Sequence, residues 1–550
     1  MPLLFPSSVG SRTWQTNEHV GRCVTIVLIM AVVLFLLVSL NDSEAIENET
    51  GLVDTLDHWF IIRFDGKPVG YEHVQSRQMN HAGEVTRLCQ RKTQLNLKRL
   101  GQNLTLRASL QTRQTTDGRL LSFNLQRVDG AGARMERSGE LRRDSSVFHI
   151  EEKINATRRE FDLRVPDNVR SPIFSEWLPE VMQSSRDRIV VPVLFPESAS
   201  VADITATHGQ MRNLRIGNDN PVPTRRIRFY PRSAPTKSTT FYVSDVAGDP
   251  RGESASTRRP TLANQDRSAA FAPLAVVLRQ EKSILGGTLT IDAASASEAL
   301  SAASEKSLDL TVRSLVPVNR LFSNNHRTQL VLDLSVVSGF LPQIPETIFQ
   351  KVQLLNDSTA RITLLPSIVE RQRTLRTSNV ILPSQSATHW MPLQDATLQK
   401  MALIASAGQT DPREVCRRLE SFVHSKMQHS AFSTSLIPAD EVARALRGDC
   451  TEHAVLLAAL MRIKGIPSRI VSGLVHTNQQ LGFTGHTWVE ALIGSEWIPF
   501  DSTIGSVKSN VTHLKLADSE MPDEMSSGIV LFLPVLDLAG RAEVRVISDR

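Results

Sequence analysis

The sequence predicts a multidomain chain: one N-terminal transmembrane helix, a long β-rich antiparallel region, and an α+β domain in the C-terminal quarter. Three observations carry this. An uncharged apolar run of 18 residues spans Cys23 to Leu40. Apolar and polar residues alternate from about Trp59 to Pro166, and past Trp390 the apolar period lengthens to that of helices. At 550 residues the chain exceeds what one hydrophobic core organises.

The apolar run nearly spans a bilayer core. Arg12 and Arg22 precede it with Glu18 as the one acid, while Asp42, Glu44, Glu47, Glu49, Asp54 and Asp57 follow it before the next base, Arg63. This asymmetry predicts a cytoplasmic tail at 1–22, an anchor or signal at 23–40, and an extracytoplasmic remainder facing the periplasm or cell envelope. Ser43-Glu44-Ala45 matches a cleavage site poorly, which favours a retained anchor.

From 45 to 246 the pattern reads as an antiparallel β-rich domain. Leu104, Leu106, Ala108 and Leu110 alternate with polar residues, as do Leu121, Phe123 and Leu125, which predicts one wet sheet face. Asp65-Gly66, Asp117-Gly118 and Asp129-Gly130 are turn signals between such runs. Residues 247–266 lack periodicity and read as a linker or long loop. A second β-rich region is expected at 267–390, with an Ala/Ser-rich helical segment near 293–304 and alternation through Leu330, Leu332, Leu334 and Val336.

The helical domain is expected at 391–515, followed by an extension at 516–550. Asp411, Pro412 and Glu414 have the spacing of an N-cap, a first helical residue and a residue reaching back to the cap, so a helix runs from there to about Lys426. A second helix starts at Cys450 and continues to Ile463, apolar nearly all round and therefore buried; Gly465 and Pro467 end it. Strands are expected at 469–475, 486–493 and 497–501.

The chemistry-bearing residues lie in these last elements. Four cysteines (Cys23, Cys89, Cys416, Cys450) cannot build a disulfide framework in a chain of this size, although a Cys89–Cys416 bridge stays open. Cys450 at a helix start is where backbone N–H groups and the helix dipole favour a thiolate. Such a nucleophile needs an imidazole, and the imidazole an orienting carboxylate. With a turn at Ile493-Gly494, His486 falls opposite Asp501, Trp488 opposite Pro499 and Glu490 opposite Trp497, all on one face.

The stretches RGDCTEHAVLLAALMRIKGIPSRIVSGLV and GHTWVEALIGSEWIPFDSTIG resemble the core of the transglutaminase-like superfamily, in the version found in exported bacterial proteins. The resemblance covers about 391–515, and THLKLADSEM is similar to the tail that succeeds such cores. It implies a papain-like α+β fold with Cys450, His486 and Asp501 as a catalytic triad, and a thioester acyl-enzyme on peptide or glutamine-type amide bonds. Hydrolysis is preferred to cross-linking because no calcium-loop pattern like those of the animal cross-linking enzymes is present.

Competing assignments are His453 as the base and a metal site from Cys450, Glu452 and His453; neither has the supporting carboxylate or second ligand pair. No cofactor or metal is expected. The partners expected are a peptide or protein substrate and, through the N-terminal helix, a membrane; a net charge of +5 gives no reason to expect nucleic acid. The alternative function is a non-catalytic cell-envelope scaffold using both regions as binding modules.

Overall fold

A computed structural model describes residues from Val53 to Asp549, apart from internal segments of which 245–275 and 367–382 are the longest. The expected linker at 247–266 and the apolar run at 23–40 lie outside the described residues. The fold class needs one correction. No helix among the described residues is long and apolar enough to cross a membrane, so the N-terminal transmembrane helix is not part of the observed architecture. Pro412–Lys426, at 15 residues, rises about 22 Å against a bilayer core of about 30 Å, and it is amphipathic.

Two compact units meet in sequence between Asp309 and Leu310. The stretch 267–390 is thus divided between them.

The first unit is a 15-stranded sheet. Strands from Val53–Phe64 to Thr157–Arg164 are laid down next to one another in sequence order, and Gly287–Ala294 pairs antiparallel with the other side of Val53–Phe64. Asp65 and Gly66 make the first hairpin turn, with φ of 46° and 78° between the paired Phe64 and Lys67. Both positive φ values suit an Asp-Gly pair, which is why that dipeptide is legible as a turn. Alternation becomes burial: Leu106, Ala108, Leu110, Phe123 and Leu125 are in the core, and Arg134–Leu141 alternates exposed and buried along its length. The Ala/Ser segment forms the helix Ala296–Ala302, capped by Ser295 and Glu298.

In the second unit, helices α1 (Ala396–Ser406), α2 (Pro412–Lys426), α3 (Ala439–Ala445) and α4 (Cys450–Ile463) precede strands β1 (Ser468–His476), β2 (Gly482–Ile493), β3 (Glu496–Phe500) and β4 (His513–Ser519). α4 packs on β1 and β2 with one side and against α1, α2 and α3 with the others. This enclosure explains why it is apolar all round: every position from Cys450 to Arg462 is buried. β1 lies between β2 and β4, and β3 forms a hairpin with β2. A separate four-stranded sheet joins Gln350–Asn356, Thr359–Leu364, Leu330–Val336 and Ala542–Asp549 in that spatial order, with Leu330, Leu332 and Leu334 fully buried.

Candidate active site

The start of α4 is built by its own sequence. Asp449 is the N-cap and accepts the Thr451 N–H at 2.8 Å, while the Glu452 carboxylate accepts the Asp449 N–H at 2.9 Å. This Asp-x-x-Glu capping box fixes Cys450 at the first helical position. Residue 448 must be glycine, because a Cβ there would sit 2.4 Å from the Glu452 Cβ. Two acids beside a thiol would oppose its ionisation, but burial, followed by the Asp449 charge, raises the Glu452 pKa well above the carboxylate range and favours its neutral form.

The β2–β3 hairpin carries the other two residues. Its turn is Gly494-Ser495, with Ile493 paired to Glu496 and Gly494 at φ +70°. Glu490 therefore pairs with Pro499, not Trp497, and the ladder ends at Val489–Phe500. The expected register is displaced by two residues. A displacement of two keeps every side chain on its face, so Asp501, next after Phe500, is a diagonal neighbour of His486 and still reaches it. His486 Nε2 lies 2.7 Å from Asp501 Oδ2, and both residues are buried.

The structure brings all three expected residues together. Nε2 of His486 is committed to Asp501, which leaves Nδ1 for the Cys450 thiol. Nδ1 has no hydrogen bond of ordinary geometry, yet the thiol is close enough to act on the ring by hydrogen bond and charge. Such contacts commonly tighten only when substrate binds. Burial pulls the His486 pKa down, but the Asp501 charge and hydrogen bond, joined by those of Cys450, outweigh it and push the pKa up to about 10. Burial raises the Asp501 carboxyl; the charges and hydrogen bonds of His486 and His513 win and hold it well below the usual carboxylate range.

Two contributors were not legible as site residues. His513, on β4, places Nε2 at 2.9 Å from the same Asp501 Oδ2. Glu420, on α2, accepts the Asp501 N–H at 2.6 Å. The available signal for Glu420 was a lone acid on the buried stripe of Val415, Cys416, Leu419 and Val423. His513 had no such signal, because nothing in the spacing says that β4 pairs with β1.

His453 is no competitor: its Nδ1 donates to the Ser502 carbonyl at 3.1 Å, as His424 Nδ1 does at 3.0 Å. Glu490 is 4% exposed and pairs with Arg469 and Lys515, so it belongs to a buried charge network, in which Lys515 also meets Asp518 at 2.7 Å. Glu452 is used by the cap and His453 by the Ser502 carbonyl, while the Cys450 thiol faces His486. The imidazole and carboxylate donor atoms of His486, Asp501 and His513 lie within 4.8 Å of one another, near enough to hold an ion, but the two short contacts between them are accounted for by hydrogen bonds. Cys89 and Cys416 are not bridged; burial first, then nearby acids, raise both thiols.

Residues 399–502 match the model of the transglutaminase-like superfamily. No curated protein matches the chain. Among solved structures the chain is similar to a "Putative Cysteine Protease" from Cytophaga hutchinsonii, at 15% identity over 42% of this chain and 91% of that one, with a TM-score of 0.27. It is also similar to a β-barrel-like protein from Brucella abortus (8% identity, 43% of this chain, 94% of that one, TM-score 0.27). A third likeness is to a "putative protease" from Parabacteroides distasonis (11% identity, 71% of this chain, 69% of that one, TM-score 0.18). At such low TM-scores these likenesses carry no weight for the site. The family match covers the capped helix and the hairpin that hold Cys450, His486 and Asp501, and it is this stretch, 399–502, that is similar to the transglutaminase-like superfamily.

Proposed function

We propose that the core is a cysteine hydrolase acting on peptide or glutamine-type amide bonds through a thioester. The single observation that carries this reading is the buried His486 ring, bonded to Asp501 through one nitrogen and facing Cys450 with the other. His486 takes the Cys450 proton, and the resulting thiolate attacks the substrate carbonyl carbon. The imidazolium, stabilised by the Asp501 carboxylate, then returns a proton to the departing nitrogen as the C–N bond breaks, leaving a Cys450 thioester. In the second half His486 removes a proton from water, whose oxygen displaces Cys450 and releases the acid. An amine in place of that water would give transamidation; the absence of a calcium-loop pattern in the sequence favours water.

Labelling the full chain with iodoacetamide near neutral pH tests the reading. Cys89, Cys416 and Cys450 are each 0% exposed, so exposure does not separate them and activation does. Cys450 is expected to label at least about tenfold faster than the other two, as a His-paired thiolate should. Equal rates would remove the nucleophile. Loss of amide hydrolysis in Cys450→Ala, with folding intact, separates enzyme from scaffold.

A further inference from the structure

His513 stands outside the three residues of the proposed triad, yet its ring nitrogen is as close to Asp501 as an ordinary strong hydrogen bond requires. Its approach depends on a gap in the sheet. β1 lies between β2 and β4, so His486 and His513 stand on strands that do not touch. Gly473 of β1 pairs with His486 on one side and Lys515 on the other. A Cβ at 473 would sit 2.8 Å from the Trp488 ring and 2.0 Å from the Leu514 carbonyl oxygen. The missing side chain leaves room above β1, and Trp488 fills part of it. Its ring stacks at 6.2 Å from His486 and meets His513 edge-on at 5.0 Å. One indole thus braces both imidazoles, and both aim Nε2 at Asp501 Oδ2.

The remaining carboxylate oxygen is also tied. Asp501 Oδ1 accepts the N–H groups of Thr503 at 2.9 Å and Ile504 at 3.3 Å. Without His513, Oδ2 would keep His486 Nε2 as its one partner, and the catalytic imidazole would lose the second donor that fixes the oxygen it leans on. Because an ionised carboxylate only accepts, the proton in the His513 contact sits on Nε2. The His513 side chain is 12% exposed.

We propose that His513 is a positioning residue for the Cys450 reaction: its Nε2–H pins Asp501 Oδ2, so that His486 is held with its other nitrogen toward the thiol. It rests on the cysteine-hydrolase reading above. A ring on β4, reached across a glycine gap, does for the carboxylate what the carboxylate does for the catalytic imidazole.

The test is the iodoacetamide labelling rate of Cys450 in the folded full chain, with wild type compared against His513→Phe and His513→Gln. Phenylalanine keeps the ring packed on Trp488 and loses the donor; glutamine loses the ring and keeps an N–H of about the same reach. The phenylalanine variant is expected to label about tenfold more slowly than wild type, and the glutamine variant within about threefold of it. The reverse order assigns His513 to packing and overturns the proposal, as do equal rates in all three. If His513→Phe does not fold, His513→Asn takes its place: asparagine is polar but too short to reach Oδ2. Asparagine matching glutamine overturns the proposal, and asparagine slower than glutamine supports it. Wild-type Cys450 labelling no faster than Cys89 overturns the hydrolase reading and this proposal with it, whereas a fast wild type with fast variants overturns only the role of His513.

Discussion

Glu420→Gln should make the chain more stable in alkaline solution and leave it nearly unchanged in mild acid. Glu420 is 4% exposed, and burial, the largest cause, together with the Asp501 charge pushes its pKa up to about 7 from 4.5. At about 1.4 kcal/mol per pH unit, that rise is worth about 3 kcal/mol. The folded pKa lies above the unfolded one, so this contribution is fully present below about pH 4.5 and is lost as pH rises through about 7. Glutamine keeps the shape and the carbonyl that accepts the Asp501 N–H, and it cannot ionise. Melting curves of wild type and variant should nearly coincide at about pH 5 and separate above about pH 7, the variant melting roughly 5–10 °C higher. An offset independent of pH, or a variant less stable at about pH 8, would refute the burial argument.

Asp501→Asn removes the charge that outweighs burial at His486, so Cys450 labelling near neutral pH should fall by about tenfold or more, and an unchanged rate would break the link between carboxylate and thiol. For Lys515→Met, which leaves Glu490 and Asp518 with Arg469 as their shared cation, denaturant titration should record a loss of about 1.5–3 kcal/mol, and no loss would exclude Lys515 from the network. Asp449→Ala deletes the N-cap beneath Cys450; a loss of about 1 kcal/mol is expected by the same titration, with no loss excluding the capping role.

The α+β core was legible to the residue in places because its signals are local. Asp411, Pro412 and Glu414 specify a helix start by chemistry confined to one turn, and the helix runs to Lys426 as the apolar stripe requires. Cys450 to Ile463 was equally plain, since an all-round apolar helix closed by Gly465 has one place to go. The His486–Asp501 contact survived an error in register: the turn sits one residue later than its signal suggested, at Gly494-Ser495, and parity protected the face. The charge asymmetry at 1–57 argued for a membrane helix; that run lies outside the described residues, and no helix among them is long and apolar enough to cross a membrane. The features that stayed hidden depend on pairings between distant segments. His513 reaches Asp501 because β4 pairs with β1 and Gly473 leaves a gap, and neither fact has a local signature.

The four-stranded sheet of the second unit has a consequence for how that unit assembles. Leu330–Val336 pairs with Ala542–Asp549, bringing Leu332 beside Val546, about 200 residues away. The matched core at 399–502 is spliced between these partners. Closing so long a loop in an unfolded chain is slow, and each doubling of length adds about 0.6 kcal/mol of entropy cost. Once the core has collapsed, the flexible length separating the two strands shrinks to its flanks. The expected order of events is core first and sheet second, with Ala542–Asp549 acting as a clasp. A protease cut at a surface turn inside the core would then leave two fragments that still hold each other through this sheet, and they should migrate together until denaturant opens it.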